Sequence, residues 1–151
     1  MVENHLVDSL LELVKEAVKD FRLPTKNGEL EQPQVFDFDL PMKEANYTAA
    51  CPFIIVRADN GQFDRDDSDM ELYIIIGCYS ENHTANRDCK NVMSRIRIAL
   101  TTLPGEILAK RYCLQFPIKW DLHGEQPQPY SQLDMRVKFS YNTPQAPSEG
   151  G

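Results

Sequence analysis

The chain has 151 residues, 42% of them hydrophobic and 26% charged, and a formal net charge of −7 from 16 basic and 23 acidic side chains. That length fits one domain burying roughly 68–70% of its unfolded surface, and the balance excludes collagen-like, coiled-coil and low-complexity classes. The acidity argues against a sequence-independent nucleic-acid binder, which gains affinity by neutralising phosphates with cations.

No uncharged apolar run approaches the roughly 20 residues of a membrane-spanning helix, and Glu3, Asp8 and Glu12 interrupt any signal-peptide core. The expectation is a protein made in a cytosol, with no membrane partner. Cys51, Cys78, Cys89 and Cys113 are too widely spaced for a Cys-x-x-Cys pair, so buried free thiols are expected.

Residues 3–21 place Val7, Leu10, Leu11, Val14, Val18 and Phe21 on one stripe of a helix. Leu6 and Leu13 flank the stripe and make it wider than one packing contact needs. Pro24 and the Asn27-Gly28 turn end the segment. Three strands are then expected. Residues 35–40 put Phe36, Phe38 and Leu40 on one face and Asp37 and Asp39 on the other. Residues 53–57 are a short β-branched run, and residues 72–79, "LYIIIGCY", are apolar on both faces, as befits a central strand. Between the last two, "ADNGQFDRDDSDM" is too long and acidic for a tight turn and is expected as a mobile loop.

A second helix is expected over residues 86–103, with Cys89, Val92, Met93, Ile96, Ala99, Leu100 and Leu103 as its stripe. Arg87, Lys90, Arg95 and Arg97 lie on its other faces together with one apolar misfit, Ile98. The last two strands alternate most clearly. Tyr112, Leu114, Phe116, Ile118 and Trp120 share one face; Leu133, Met135, Val137, Phe139 and Tyr141 share a face of the partner. Pro117 has no ladder donor, so its strand lies at an edge or carries a bulge. On this reading the hairpin packs on one side only, and Trp120 is at least partly core. The order α-β-β-β-α-β-β implies a two-layer α+β domain over residues 1–141, with two amphipathic helices on one face of a mainly antiparallel sheet. The polar, Pro/Gly-rich residues 142–151 form a disordered tail.

Chemistry is harder to find. Asp64, Asp66 and Asp69 suggest calcium, but Asp69 stands where an EF-hand needs glycine and Ile75 where it needs the bidentate glutamate. His5, His83 and His123 have no metal-type partners at short spacing. No nucleophile elbow, zinc-protease, phosphate-loop or dinucleotide motif occurs. No catalytic, cofactor or metal residue is assigned. Surplus apolar positions and a basic helix face favour a binding or assembly protein over an enzyme.

The succession "CPFIIVRADNG", an acidic segment, "LYIIIGCY", "NVMSRIRIAL" and "LQFPIKWDLHGEQPQPY" resembles the tail terminator (tail completion) proteins of long-tailed bacteriophages, over about residues 3–141. The resemblance implies a non-enzymatic virion protein without cofactor, assembled in the host cytoplasm. Such a protein forms a hexameric ring at the tail end, stops polymerisation of the tail tube protein and joins the tube to the head connector. Its specificity for nucleic acid is nil, although the genome passes through the ring. By the same analogy, contacts fall on Trp120, Asp121, Gln126, Pro127, Pro129 and Tyr130, and on the acids at 64, 66, 67 and 69. Arg95, Arg97, Ile98, Leu6 and Leu13 supply the rest. The alternatives are another neck or head-completion protein and, in a different class, a small cytosolic enzyme or metal-binding domain.

Overall fold

A computed structural model describes residues 2–41, 47–123 and 129–145. In chain order its elements are α1 (Val2–Val18), β1 (Leu23–Pro24), β2 (Leu30–Glu31), β3 (Gln34–Asp37), α2 (Tyr47–Ala50), β4 (Phe53–Phe63) and β5 (Asp67–Tyr79). After these come α3 (Ala85–Thr101), a 3-10 turn at Pro104–Glu106, β6 (Ile107–Leu108), β7 (Tyr112–Leu122) and β8 (Tyr130–Asn142). The fold is α+β: two long helices lie on one mixed sheet of mostly antiparallel strands, ordered β3-β4-β5-β8-β7-β6. The parallel pair is β3 with β4. β5 has the expected central position.

Alternation builds the helix-facing layer. Leu72, Ile74 and Ile76 of β5 oppose Val137, Met135 and Leu133 of β8 in register, and all six are buried. Over them, α1 contributes Leu6, Leu10, Val14 and Val18, and α3 contributes Cys89, Val92, Ile96 and Leu100. α3 ends at Thr101, two residues before the expected boundary, and Thr102 Oγ1 donates back to the Ile98 carbonyl at 2.7 Å. Leu6 is fully buried in this layer and Leu13 packs half-buried against it. The wide apolar stripe of α1 is therefore core: it covers the sheet and also meets α3.

The opposite face of the sheet is not simply wet. Leu40, Cys51, Phe53, Ile55, Ile75, Tyr79 and Tyr130 form a second, smaller core there. Phe53 pairs with Gly77, and an added Cβ at Gly77 would stand 2.3 Å from the Phe53 ring. Glycine is what lets the aromatic ring lie flat across the neighbouring strand.

Three expectations about strands need correction. The segment read as a mobile loop is mostly sheet: β4 runs to Phe63 and β5 begins at Asp67, with one bulge between Ala58 and Asn60. The cause is β8, which runs beside β5 along its whole length and supplies partners for Ser68 and Met70 in Tyr141 and Phe139. The strand expected over residues 35–40 stops at Asp37, because Phe38 adopts φ 69° and turns its ring to solvent, 52% exposed. Residues 142–145 of the expected tail are held: Thr143 donates from its amide to the Asp66 carbonyl (2.8 Å) and from Oγ1 to the Asp64 carbonyl (2.6 Å), and Gln145 Nε2 donates to the Arg65 carbonyl (3.1 Å).

Candidate assembly surface

The surfaces singled out by sequence fall at two ends of the sheet. At one end lies β7. Beyond it, among the described residues, only β6 follows, pairing with Tyr112 and Cys113 alone. The rest of β7 therefore presents a free strand edge, the kind of edge that invites another chain to pair. Pro117, which brings no N–H to a ladder, sits where the register with β8 shifts. Gln115 pairs with Lys138 and Lys119 with Arg136, so residues 116–118 stand opposite Val137 alone. This bulge, expected from the proline, carries Phe116 off the core face to 57% exposure.

Trp120 is likewise 46% exposed. It pairs with buried Met135 and so points to the helix side, but α3 lies over β5 and β8 and α1 chiefly over β3 and β4, which leaves it uncapped. Ile118 and Leu122, on the same face, pack half-buried against the core. Sequence alternation identified the face correctly, but could not report how far across the sheet the helices extend.

On the other face, β7 and β8 carry a polar lattice. Arg136 donates to Asp121 at 2.7 Å, and this hydrogen bond holds the guanidinium even more firmly protonated than usual. Lys138 lies 3.8 Å from Asp69, which also accepts from Gln62 Nε2 at 3.0 Å. Tyr130 donates to Gln132 at 2.7 Å, Gln132 to Asp134 at 3.2 Å, and His123 Nε2 lies 2.9 Å from Asp134. A histidine held by an aspartate needs a nucleophile on its far side to work as a catalytic relay. Among the described residues the imidazole meets the Asp134 carboxylate and the Gln132 amide, both at Nε2, and no hydroxyl or thiol. Asp121 and Asp69 are thus anchored lattice members. Tyr130 is buried in the smaller core, half-buried Pro129 accepts from the Ser80 amide at 3.0 Å, and Gln126 and Pro127 lie outside the described residues.

At the other end of the sheet is the β4–β5 hairpin. Among the described residues β3 covers β4 only over Phe53–Val56, and no other strand pairs with the β4 edge beyond. At the turn, Asp64 Oδ1 accepts from the Arg65 amide at 2.8 Å, while Asp66 and Asp67 are exposed. Beside them Phe63 is 68% exposed. Phe63 was missed from sequence; its signal is an isolated aromatic within a run of charges.

α3 divides its cations between two flanks. Arg95 lies over the Phe21 ring, 5.0 Å from its centroid, on the side toward α1. Arg97 is exposed, and Ile98, 46% exposed, faces solvent on the back of the helix as the misfit in its pattern implied.

Among the described residues no group of three or more His, Cys, Asp or Glu side chains is arranged to hold a metal ion. His5, exposed on α1, bonds through Nδ1 to the Tyr112 hydroxyl at 2.7 Å, tying α1 to β7. Burial, reinforced by nearby Cys89, pushes the Cys51 thiol up; a hydrogen bond with Cys89 and then burial do the same for Cys78. Neither is poised as a nucleophile. No helix among the described residues is long and apolar enough to cross a membrane. A comparison with protein-family models finds no match for the chain, and neither does a comparison with curated proteins.

Proposed function

We propose that this chain is a ring-forming virion assembly protein, a tail terminator that caps the tail tube, stops its growth and joins it to the head connector. The observation that carries the self-assembly half of this reading is the pair of unlike open edges at opposite ends of one sheet. β7 exposes Phe116 and Trp120, and the outer part of β4 exposes Phe63. A closed ring is built from head-to-tail contacts, which need two different patches on every subunit. A two-fold dimer needs one self-complementary patch. The tail-end half of the reading rests on the resemblance of residues 3–141 to terminator proteins. The ring acts by geometry, and no group of the chain is assigned a chemical step.

The test is assembly itself. Light scattering and negative-stain imaging of the purified chain at rising concentration are expected to give six-fold rings, alone or seated on tail tubes. Concentration matters because association is a mass-action equilibrium. A chain that stays monomeric at the highest concentration and never binds a tube refutes the proposal. Particles made without the protein separate it from another neck component: overlong, unattached tails are expected, whereas leaking heads point to a connector.

A further inference from the structure

We propose that the turn of the β4–β5 hairpin of one copy seats in the trough between α3 and β7 of the next copy, with Phe63 against Trp120 and the acids of the turn against Lys90 and Arg97. This docking mode rests on the ring reading above.

The trough follows from helix geometry. Arg95 faces α1 through its contact with Phe21. At about 100° per residue Arg97 lies roughly 200° further round the axis, and Lys90 and Met93 share its flank by their seven- and four-residue spacing. That flank looks away from α1, toward the β7 side of the sheet. There the register aims Trp120 and Leu122 to the helix side, opposite Met135 and Leu133. The result is an apolar floor with a cationic wall, bounded by a free strand edge.

The turn is its complement. Residues 64–67 read Asp-Arg-Asp-Asp, a net negative charge, and Phe63 beside them is, at 68%, the most exposed large apolar side chain among the described residues. Thr143 and Gln145 clamp three successive turn carbonyls, so little order is lost on docking. An aromatic pair placed over apolar surface supplies affinity, and opposite charges fix orientation and reject wrong partners.

The contact is between copies. Phe63 pairs with Ser68, and Trp120 pairs through Met135 with Ile74. Six positions along β5 at about 3.4 Å and three strand spacings at about 4.8 Å put the two aromatics roughly 25 Å apart in one subunit. A tethered turn cannot cover that distance, and a neighbour related head to tail can.

The experiment is a charge exchange followed by light scattering, with circular dichroism as the check on folding. Asp66→Lys with Asp67→Lys, and separately Lys90→Glu with Arg97→Glu, are each expected to raise the concentration needed for assembly by about tenfold or more. The chain carrying all four changes is expected to recover most of that loss. Rings that tolerate both reversals, or a folded four-change chain that stays dispersed, overturn this docking mode and leave the ring reading standing. A wild-type chain that neither assembles nor binds a tail tube overturns both. A second measurement needs no loss of assembly: in a Cys113→Ser chain, Phe63→Cys with Trp120→Cys is expected to oxidise into an inter-chain ladder ending at a closed ring. Rings without a ladder overturn the proposal. If the chain stays monomeric but binds tail tubes, and Lys90→Glu with Arg97→Glu abolishes that binding, the trough belongs to the tube protein and self-docking is overturned.

Discussion

Gly77 and Phe53 are fully dependent on each other: the ring is completely buried and occupies the space a side chain at 77 would need. Gly77→Ala is therefore expected to destabilise the fold by about 1–3 kcal/mol, the usual cost of overpacking a filled core, as a shift of the urea midpoint. Two aromatics of the final hairpin, Phe139 and Trp120, differ sharply in burial. Phe139 is wholly buried whereas Trp120 is 46% exposed. Phe139→Ala is expected to cost about 3–5 kcal/mol, and Trp120→Ala under about 1 kcal/mol, although tryptophan is the larger side chain. The cysteines sort in the same way. Cys113 is exposed, while Cys51, Cys78 and Cys89 are buried and two of them have raised thiol pKa values. One thiol per chain is expected to react quickly with a thiol reagent in the native monomer, and all four in urea.

At the scale of elements, the β4–β5 hairpin distinguishes a strand extension from a loop. Amides of residues 68–72 are expected to exchange slowly with deuterium, since they lie between β4 and β8, whereas a free loop exchanges within seconds. Thr143→Ala removes the hydroxyl that meets the Asp64 carbonyl and Ser68 Oγ. The expected loss is about 1 kcal/mol, typical of a hydrogen bond, with faster exchange confined to the turn. The alternation of Ser68 and Met70 against Asp67, Asp69 and Glu71 was present in the sequence, but the density of acids masked it. Charge on one face is also what keeps a protruding hairpin from pairing at its edge. Legibility followed locality throughout. Both helices, the central strand and the alternation of the last hairpin were readable because each depends on its own periodicity. The fate of Leu6, Phe38, Phe116 and Trp120 was not. It depends on where a helix ends over the sheet, on one left-handed residue and on a bulge, none of which leaves a periodic trace.

For the molecule as a whole, the proposed ring rests on surface shape and charge. Between the exposed aromatics of the two ends lies a polar lattice in which Arg136–Asp121 and Lys138–Asp69 already satisfy one another. Such exposed pairs add little to stability; the turn and the α3 flank carry further exposed charges that no ion pair among the described residues engages. Assembly is accordingly expected to weaken between about 0.1 M and 1 M sodium chloride, as the screening length falls from about 10 Å to about 3 Å. Sedimentation across that range checks it. An assembly fraction that rises steadily with salt would point to apolar contact alone.

The clamp of Thr143 and Gln145 on the hairpin turn has a practical corollary for anyone handling this protein. Six residues follow Gln145, with a contour of at most about 20 Å, so a bulky domain fused after Gly151 is leashed beside the turn. Such a fusion acts as a removable stopper: it should hold purified chains apart, and proteolytic release should start ring closure at a chosen moment.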